Sequence, residues 1–153
     1  VGTLLEPNQE MIVVADEVRT DEAILRLARV GYENVRGYLK GGMKAWEQAG
    51  KTAAATNSIT AQEFLNQKPA EATVLDVRRP PEFEDGHVRG ATNIPLHELE
   101  RKLDHLNDGQ PIYVHCAGGY RSMIASSLLQ QKGFQNVFNI KGGYKAIDEL
   151  QPA

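Results

Sequence analysis

Short apolar runs alternate with stretches of helical spacing along most of the chain. The apolar runs predict β-strands at residues 11–15, 73–77, 92–94 and 112–115, with a strand stub at 58–59. Helical spacing predicts helices at residues 21–30, 96–106 and 121–132, with a helical turn at 80–85. A further short helix should begin after Thr60, because Thr60 and Glu63 have the spacing of a capping box. This alternation predicts an α/β fold, with a parallel sheet flanked by helices on both faces.

One segment of the sequence occurs twice. Residues 31–46 recur as residues 133–147, one residue shorter, and both copies contain Lys-Gly-Gly-x-Lys-Ala. Each copy follows an apolar strand, a short turn and an amphipathic helix. We therefore interpret residues 1–50 as half of a domain that is complete at residues 58–153, with the small and polar residues 51–57 as a linker.

The composition argues against several classes of function. A net charge of -3 gives no reason to expect a nucleic-acid partner. The sequence has no signal peptide and no apolar run near the ~18 residues of a membrane helix, so no membrane association is expected. A single cysteine cannot form an internal disulfide, and a reactive thiol persists best in a reducing compartment, which predicts a cytoplasmic protein. The chain begins at Val1 rather than at methionine, which suggests a fragment or a processed form.

The histidines do not suggest a metal centre. They lie at positions that lack the close spacing of paired metal ligands: His87, His97, His105 and His115. We therefore expect neither a metal site nor another cofactor.

The clearest chemistry lies in residues 111–122, where an apolar strand ends on the one cysteine of the chain and a helix follows. Gly118 and Gly119, shortly after Cys116, allow several backbone N–H groups to converge on one sulfur atom. A helix N-terminus and a nearby cation such as Arg121 lower a cysteine pKa from about 8.5 towards roughly 3.5–7.5. The pattern therefore predicts a thiolate nucleophile at Cys116.

Two motifs resemble the signatures of rhodanese sulfurtransferases. Residues 115–122, His-Cys-Ala-Gly-Gly-Tyr-Arg-Ser, look like the active-site loop of that family, in which four residues separate a cysteine from an arginine. Residues 75–95 are similar to the second signature, Asp-x-Arg followed by Glu-Phe-x-x-Gly-His-x-x-Gly-Ala-x-Asn-Ile-Pro. The resemblance covers residues 58–150 fully and residues 11–50 weakly. It implies a catalytic rhodanese domain at 58–153 and a degenerate, cysteine-less rhodanese half at 1–50.

The order of the two parts resembles a larger arrangement. A degenerate half followed by a complete domain is similar to the C-terminal portion of bacterial fusions whose N-terminal part is a metallo-β-lactamase-fold persulfide dioxygenase. This similarity implies a fused or associated partner of that fold. No His-x-His-x-Asp-His metal motif occurs in this chain, so the dioxygenase activity would lie outside it.

The activity that the resemblance implies is transfer of a sulfane sulfur. Thiosulfate or a low-molecular-weight persulfide, such as glutathione persulfide, would donate the sulfur, and Cys116 would hold it as a persulfide. A thiol or cyanide would then accept it. The resemblance implies that Cys116 and Arg121 are the catalytic residues. The other loop residues would bind the substrate or the persulfide: Ala117, Gly118, Gly119, Tyr120 and Ser122.

Residues of the second signature are expected to support the loop. Asp76 and Arg78 are the candidates for this role, and Arg78 is expected to pair with Glu82. His87 and His115 are expected to be hydrogen-bonded scaffold residues rather than acid-base catalysts, because attack by a thiolate on sulfur requires no proton shuttle.

Several alternatives remain open from the sequence. A cysteine-dependent phosphatase or arsenate reductase uses a similar loop, but that loop is one residue wider between cysteine and arginine. A non-catalytic interaction module is the other alternative. Two roles are open for Arg121: it could contact the anionic end of the donor, or it could brace the loop against a carboxylate such as Asp76. Tyr120 could either shape access of the donor or pack outward.

Overall fold

The computed structural model describes residues 2–151. These residues form two compact units, one ending at Ala54 and the other beginning at Ala55. None of the helices described is both long and apolar enough to cross a membrane.

The first unit contains two parallel strands and two helices. The elements follow the chain as β1 (Met11–Val13), a 3-10 turn (Glu17–Arg19), α1 (Thr20–Arg29), β2 (Val35–Tyr38) and α2 (Gly42–Gln48). Strand β1 pairs with β2, with Val13 opposite Tyr38. Several of its large apolar side chains, including Ile12, are exposed.

The second unit is built on a five-stranded parallel sheet. Its strands are β3 (Asn57–Ile59), β4 (Thr73–Asp76), β5 (Thr92–Asn93), β6 (Ile112–His115) and β7 (Val137–Ile140), in the spatial order β3-β7-β6-β4-β5. Its α-helices are α3 (Ala61–Gln67), α4 (Pro80–Glu84), α5 (Tyr120–Gln131) and α6 (Gly143–Leu150). The predicted α/β class with a helix-flanked parallel sheet is confirmed.

Strand β6 lies at the centre of the sheet, and all four of its residues are buried. Tyr113 belongs to a core cluster with Phe64 of α3 and Ile147 of α6, and the rings of Phe64 and Tyr113 lie 5.4 Å apart. Val114, the next residue, is fully buried as well. Because adjacent side chains of a strand point to opposite faces, burial of both shows that the two faces are covered. The carboxyl end of this strand is therefore held in a fixed position.

A local sequence signal sets the start of α3. The predicted capping box is confirmed, because Thr60 Oγ1 accepts from the N–H of Glu63 at 3.1 Å while the Glu63 carboxylate accepts from the N–H of Thr60 at 2.7 Å. The predicted helix over residues 96–106 is wrong. Two 3-10 helices, Leu96–Arg101 and Leu103–His105, occupy the segment instead.

The backbone leaves the helical conformation at Lys102, which has a φ of -121° and a ψ of 22° and separates the two short helices. Leu96 and Leu99 are three residues apart, as are Leu103 and Leu106. A 3-10 helix has three residues per turn, so residues three apart lie on the same face. Leu96, Leu99 and Leu106 are all buried, so both short helices turn leucine side chains towards the core.

Candidate active site

The predicted nucleophile lies at the carboxyl end of the central strand. Cys116 directly follows β6, and the loop ends at Gly119, where α5 begins. Gly119 has a φ of +103°, which side-chain-bearing residues rarely adopt, so a glycine is required for the chain to turn into the helix here. Carboxyl ends of parallel strands are the usual position for binding sites in open α/β sheets. Cys116 itself is buried, with 1% of its surface exposed.

Neutral hydrogen-bond donors surround the sulfur atom. The backbone N–H of Gly119 donates to Cys116 Sγ at 3.1 Å. Burial by itself would raise the pKa of Cys116, but hydrogen bonds from the side chain and backbone of Ser122 and from the backbone of Gly119 and Gly118 outweigh it. The pKa of the Cys116 thiol is consequently lower than its ordinary value. One of the predicted backbone donors, the N–H of Gly119, contacts this sulfur directly, and the lowered pKa of Cys116 agrees with the wider predicted set.

The hydroxyl of Ser122 has two acceptors within reach. It donates to the carbonyl of Gly119 at 3.1 Å, and a hydrogen bond from the same side chain contributes to the lowered pKa of Cys116. Ser122 is fully buried, so water does not compete for its single proton. Ionisation of Cys116 makes the sulfur the stronger acceptor, and the hydroxyl then contributes to stabilisation of the thiolate.

Arg121 forms a two-pronged ion pair with Glu82. Its Nη1 and Nη2 atoms donate to Oε2 and Oε1 of Glu82, each at 2.7 Å. Hydrogen bonds from Arg121 lower the pKa of Glu82 to about 2, against the opposing effect of partial burial. The pKa of Arg121 is raised, mainly by Glu82 and to a smaller extent by the neighbouring Cys116. Arg121 is thus a bracing residue that also lies close enough to influence the sulfur.

The predicted pairing of Arg78 with Glu82 is wrong, because Arg78 pairs with Asp76. Nε and Nη2 of Arg78 donate to Asp76 Oδ2 at 2.9 and 2.8 Å, and Nη2 also donates to the carbonyl of Gly86 at 2.6 Å. Asp76 and Arg78 are two residues apart where β4 ends, so both side chains lie on the same side of the chain. Glu82, in the first turn of α4, is left free for Arg121.

The Asp76–Arg78 pair is buried and joined to the neighbouring elements. Both residues are at least 96% buried, since Asp76 is 0% and Arg78 4% exposed. The guanidinium of Arg78 lies over the ring of Tyr144, 4.2 Å from its centre. The side-chain amide of Asn93 donates to the backbone carbonyls of Asp76 and Arg78. Through Tyr144, whose N–H donates to the carbonyl of Cys116, these contacts connect the pair to the loop.

The two predicted scaffold histidines differ in their contacts. His87 Nδ1 lies 3.0 Å from the carbonyl oxygen of Phe83, and the two rings stack 3.9 Å apart. His115 is fully buried, and its Nε2 has no hydrogen-bond partner among the described residues and lies 3.8 Å from Asp76 Oδ2. Burial lowers the pKa of His115, and the charge of Asp76 only partly offsets this effect. The surroundings of His115 therefore favour its neutral form, which fits a scaffold role.

The N-terminus of α6 holds the loop from behind, a contact that was not predicted from the sequence. The N–H of Tyr144 donates to the carbonyl of Cys116 at 2.6 Å, and the N–H of Lys145 donates to the carbonyl of Ala117 at 3.2 Å. Gly143 makes this approach possible, because a Cβ on it would lie 2.3 Å from the Cys116 carbonyl oxygen. The Lys-Gly-Gly motif could have indicated this contact from the sequence, because it occurs in both halves of the chain.

The same arrangement occurs in the first unit without a thiol. Gly42, the counterpart of Gly143 in the repeat, would place a Cβ 2.9 Å from the carbonyl oxygen of Ala15. Ala15 therefore occupies the place that Cys116 has in the second unit.

The predicted loop residues are brought together to different degrees. Gly118, Gly119 and Ser122 surround the sulfur, whereas Tyr120 is 82% exposed and points outward at the rim. Ala117 is fixed through its carbonyl rather than through its side chain. Across residues 2–151, no group of three or more potential ligand side chains is arranged to hold a metal ion.

Comparisons with known proteins agree with this site. The family model described as "Rhodanese-like domain" matches residues 60–150. "Uncharacterized protein YqhL" of Bacillus subtilis (strain 168) is 38% identical over 88 residues, which are 58% of this chain and 69% of YqhL. "Putative sulfur carrier protein YrkF" of the same strain is 30% identical over 115 residues, 74% of this chain. The match spans only 60% of the length of YrkF.

The fold of the second unit also has close counterparts among solved structures. The crystal structure of a rhodanese-related protein from Thermoplasma volcanium superimposes with a TM-score of 0.58 at 35% sequence identity. The superposition covers 62% of this chain and 93% of that chain.

Proposed function

Because the chain belongs to the rhodanese-like domain family, we propose that it is a sulfurtransferase in which Cys116 carries a sulfane sulfur as a persulfide. The observation that carries this proposal is the set of neutral donors around Cys116 Sγ, which favours a thiolate at the end of a fixed strand. The name of YrkF, "Putative sulfur carrier protein", supports the same chemistry.

The proposed reaction has two displacement steps. The Cys116 thiolate attacks the outer sulfur of the donor, a new S–S bond forms, and the donor's own bond to that sulfur breaks. The leaving group takes the electron pair, departing as sulfite from thiosulfate or as a thiolate from a persulfide. An acceptor thiolate or cyanide then attacks the outer sulfur on Cys116 and regenerates the Cys116 thiolate. Both steps conserve electrons overall, so neither an oxidant nor a second cysteine is needed.

The loop has donors in position for each stage. The Gly119 N–H and the Ser122 hydroxyl stabilise negative charge on the Cys116 sulfur before attack. In the persulfide the charge moves one atom outward, towards the mouth of the loop. The Tyr144 and Lys145 N–H groups do not take part in the chemistry, but they fix the carbonyls of Cys116 and Ala117 and so keep the loop open in one geometry.

Two features favour sulfur transfer over phosphate chemistry. Only four residues separate Cys116 from Arg121, which makes the loop one residue narrower than the loop of cysteine-dependent phosphatases. The Arg121 guanidinium also donates two hydrogen bonds to Glu82, so those donors are not directed at a tetrahedral oxyanion. The ordered nucleophile itself argues against a purely non-catalytic module. The proposal assigns no chemistry to the first unit, because Ala15 has no thiol.

The proposed donors are thiosulfate and low-molecular-weight persulfides such as glutathione persulfide, and the proposed acceptors are thiols or cyanide. The association with a metallo-β-lactamase-fold domain and the cytoplasmic location stay predictions from the sequence.

Intact-mass spectrometry tests the proposal directly. The protein is incubated with thiosulfate or glutathione persulfide, and the mass is measured before and after treatment with cyanide. We expect the mass of one extra sulfur atom, removed by cyanide and absent in Cys116→Ser, since a serine hydroxyl cannot become a persulfide. Cys116→Ser should remain folded by circular dichroism. Absence of added sulfur with both donors, or full transfer activity in Cys116→Ser, would contradict the proposal.

A further inference from the structure

We propose that Glu82 sets the donor preference of the loop: by neutralising Arg121 it disfavours thiosulfate and favours persulfides that carry at most one negative charge. This inference rests on the proposed sulfur transfer and concerns which donor uses the same site. Arg121 is the only charged side chain in residues 117–122. Its pairing state therefore decides whether the loop offers a free positive charge to an incoming anion.

The geometry shows that the positive charge is already matched. Both oxygens of Glu82 accept hydrogen bonds from Arg121 at 2.7 Å, so the fork of the guanidinium faces a carboxylate instead of the donor. The side chains of Arg121 and Glu82 remain 31% and 36% exposed, so a small anion entering the loop meets both charges. With the Cys116 thiolate included, the three ionised groups carry a combined charge of one negative unit.

Glu82 is also held by its own helix. Glu82 Oε2 accepts from the backbone N–H of Arg79 at 3.1 Å, in the first turn of α4. The position of the carboxylate therefore does not depend on Arg121 alone. A glutamine at this position can still accept a hydrogen bond from the Arg79 N–H through its carbonyl oxygen. Glu82→Gln therefore removes the negative charge with little change in the shape of the side chain.

The two donor classes place different charges in the site. Thiosulfate brings two negative charges, both within two bonds of the reacting sulfur, and sulfite leaves with two. The persulfide of an uncharged thiol brings at most one charge, located on the sulfur that is transferred. Repulsion from the thiolate and from Glu82 therefore weighs more heavily on thiosulfate. Removing the Glu82 charge should release Arg121 to pair with the sulfonate end of thiosulfate.

The test compares kcat/KM for thiosulfate and for the persulfide of 2-mercaptoethanol in wild type and Glu82→Gln. We expect kcat/KM for thiosulfate to rise about tenfold in Glu82→Gln, the size of one charge-assisted hydrogen bond gained. The value for the persulfide should change by less than about twofold. Glu84→Gln is the matched control, because Glu84 lies exposed on the same helix and the substitution changes the net charge equally. It should leave both values at the wild-type level.

Two additional measurements separate the effect of charge from the effect of side-chain shape. The double variant Glu82→Gln/Arg121→Gln should lose the gain with thiosulfate, because no positive charge remains in the loop. In wild-type protein, added salt should raise kcat/KM for thiosulfate relative to the persulfide, since salt screens repulsion at a partly exposed site. The salt measurement needs no substitution and stands even if Glu82→Gln folds poorly.

A decrease with both donors in folded Glu82→Gln would show that Glu82 only positions Arg121, and the proposal would be overturned. No change in the ratio of the two kcat/KM values, or an equal rise with both donors, would overturn it as well. Failure of the proposed function has a different signature, namely that no sulfur is added to Cys116 by either donor.

Discussion

Replacement of Gly143 by alanine tests whether the N-terminus of α6 holds the active-site loop in place. Gly143 has a φ of +61°, and a Cβ on it would lie 2.3 Å from the Cys116 carbonyl oxygen and 2.8 Å from two backbone atoms of Ala117. Neither neighbour is a flexible side chain that could move aside. The loop or the helix must therefore shift, and the 2.6 Å hydrogen bond from the Tyr144 N–H to the Cys116 carbonyl must lengthen.

Three costs contribute to the expected loss of stability. Left-handed backbone in alanine costs about 1 kcal/mol relative to glycine. Insertion of a methyl group into a tightly packed position costs about 1–3 kcal/mol, and the weakened hydrogen bond costs about 1 kcal/mol. We expect Gly143→Ala to lower the free energy of unfolding by about 3–5 kcal/mol. Gly90→Ala is the matched control, because Gly90 has a φ of +77° and no heavy atom within 4 Å of its Cβ position among the described residues. It should cost only about 1 kcal/mol.

Urea unfolding followed by circular dichroism measures both variants. The loop is tested separately by the rate at which iodoacetamide alkylates Cys116 and by kcat/KM for sulfur transfer. Because misplacement of a reacting group by about 1 Å can cost 100-fold, we expect folded Gly143→Ala to lose about that factor in kcat/KM. Gly90→Ala should keep the wild-type value. Equal loss of stability in the two variants, with wild-type alkylation in Gly143→Ala, would refute the idea that α6 supports the loop.

Two further predictions concern the Arg121–Glu82 pair. Arg121→Ala should lower kcat/KM for thiosulfate by about tenfold or more and move the pH profile of Cys116 alkylation to higher pH. The reason is that the positive charge that favours the thiolate is lost and Glu82 stays unpaired. Arg89→Ala is the exposed control, and an identical pH profile in the two variants would contradict this prediction. The pKa of Glu82 is about 2 in the folded protein against an ordinary 4.5, so the stability that this pair contributes is fully present above pH 4.5 and is lost as the pH falls towards 2. Since both side chains are about one third exposed, solvent screening limits the contribution of the pair to about 1 kcal/mol. Urea unfolding should show wild type more stable than Glu82→Gln by this amount at pH 6 and by less at pH 3. The same difference in stability at both pH values would contradict a stabilising ion pair.

Features that depend on neighbouring residues could be predicted from the amino-acid sequence alone. The capping box at Thr60 follows from a three-residue spacing, and the converging donors at Cys116 follow from a strand, two glycines and a helix start within a few residues. The α/β class followed from the alternation of strands and helices. In each case the interacting groups are close along the chain, so the local backbone conformation brings them together.

Contacts between distant groups, in contrast, depend on the tertiary structure. Glu82 and Arg121 are 39 residues apart in the sequence and come together because α4 and α5 both begin near the carboxyl edge of the sheet. Arg78 could have paired with either acid, but the end of β4 places it beside Asp76 and thereby leaves Glu82 for Arg121. The contact of Gly143 with Cys116 likewise depends on β6 and β7 being adjacent strands. Sequence spacing does not encode these partners, because the pairing of strands in the sheet sets which loops lie side by side.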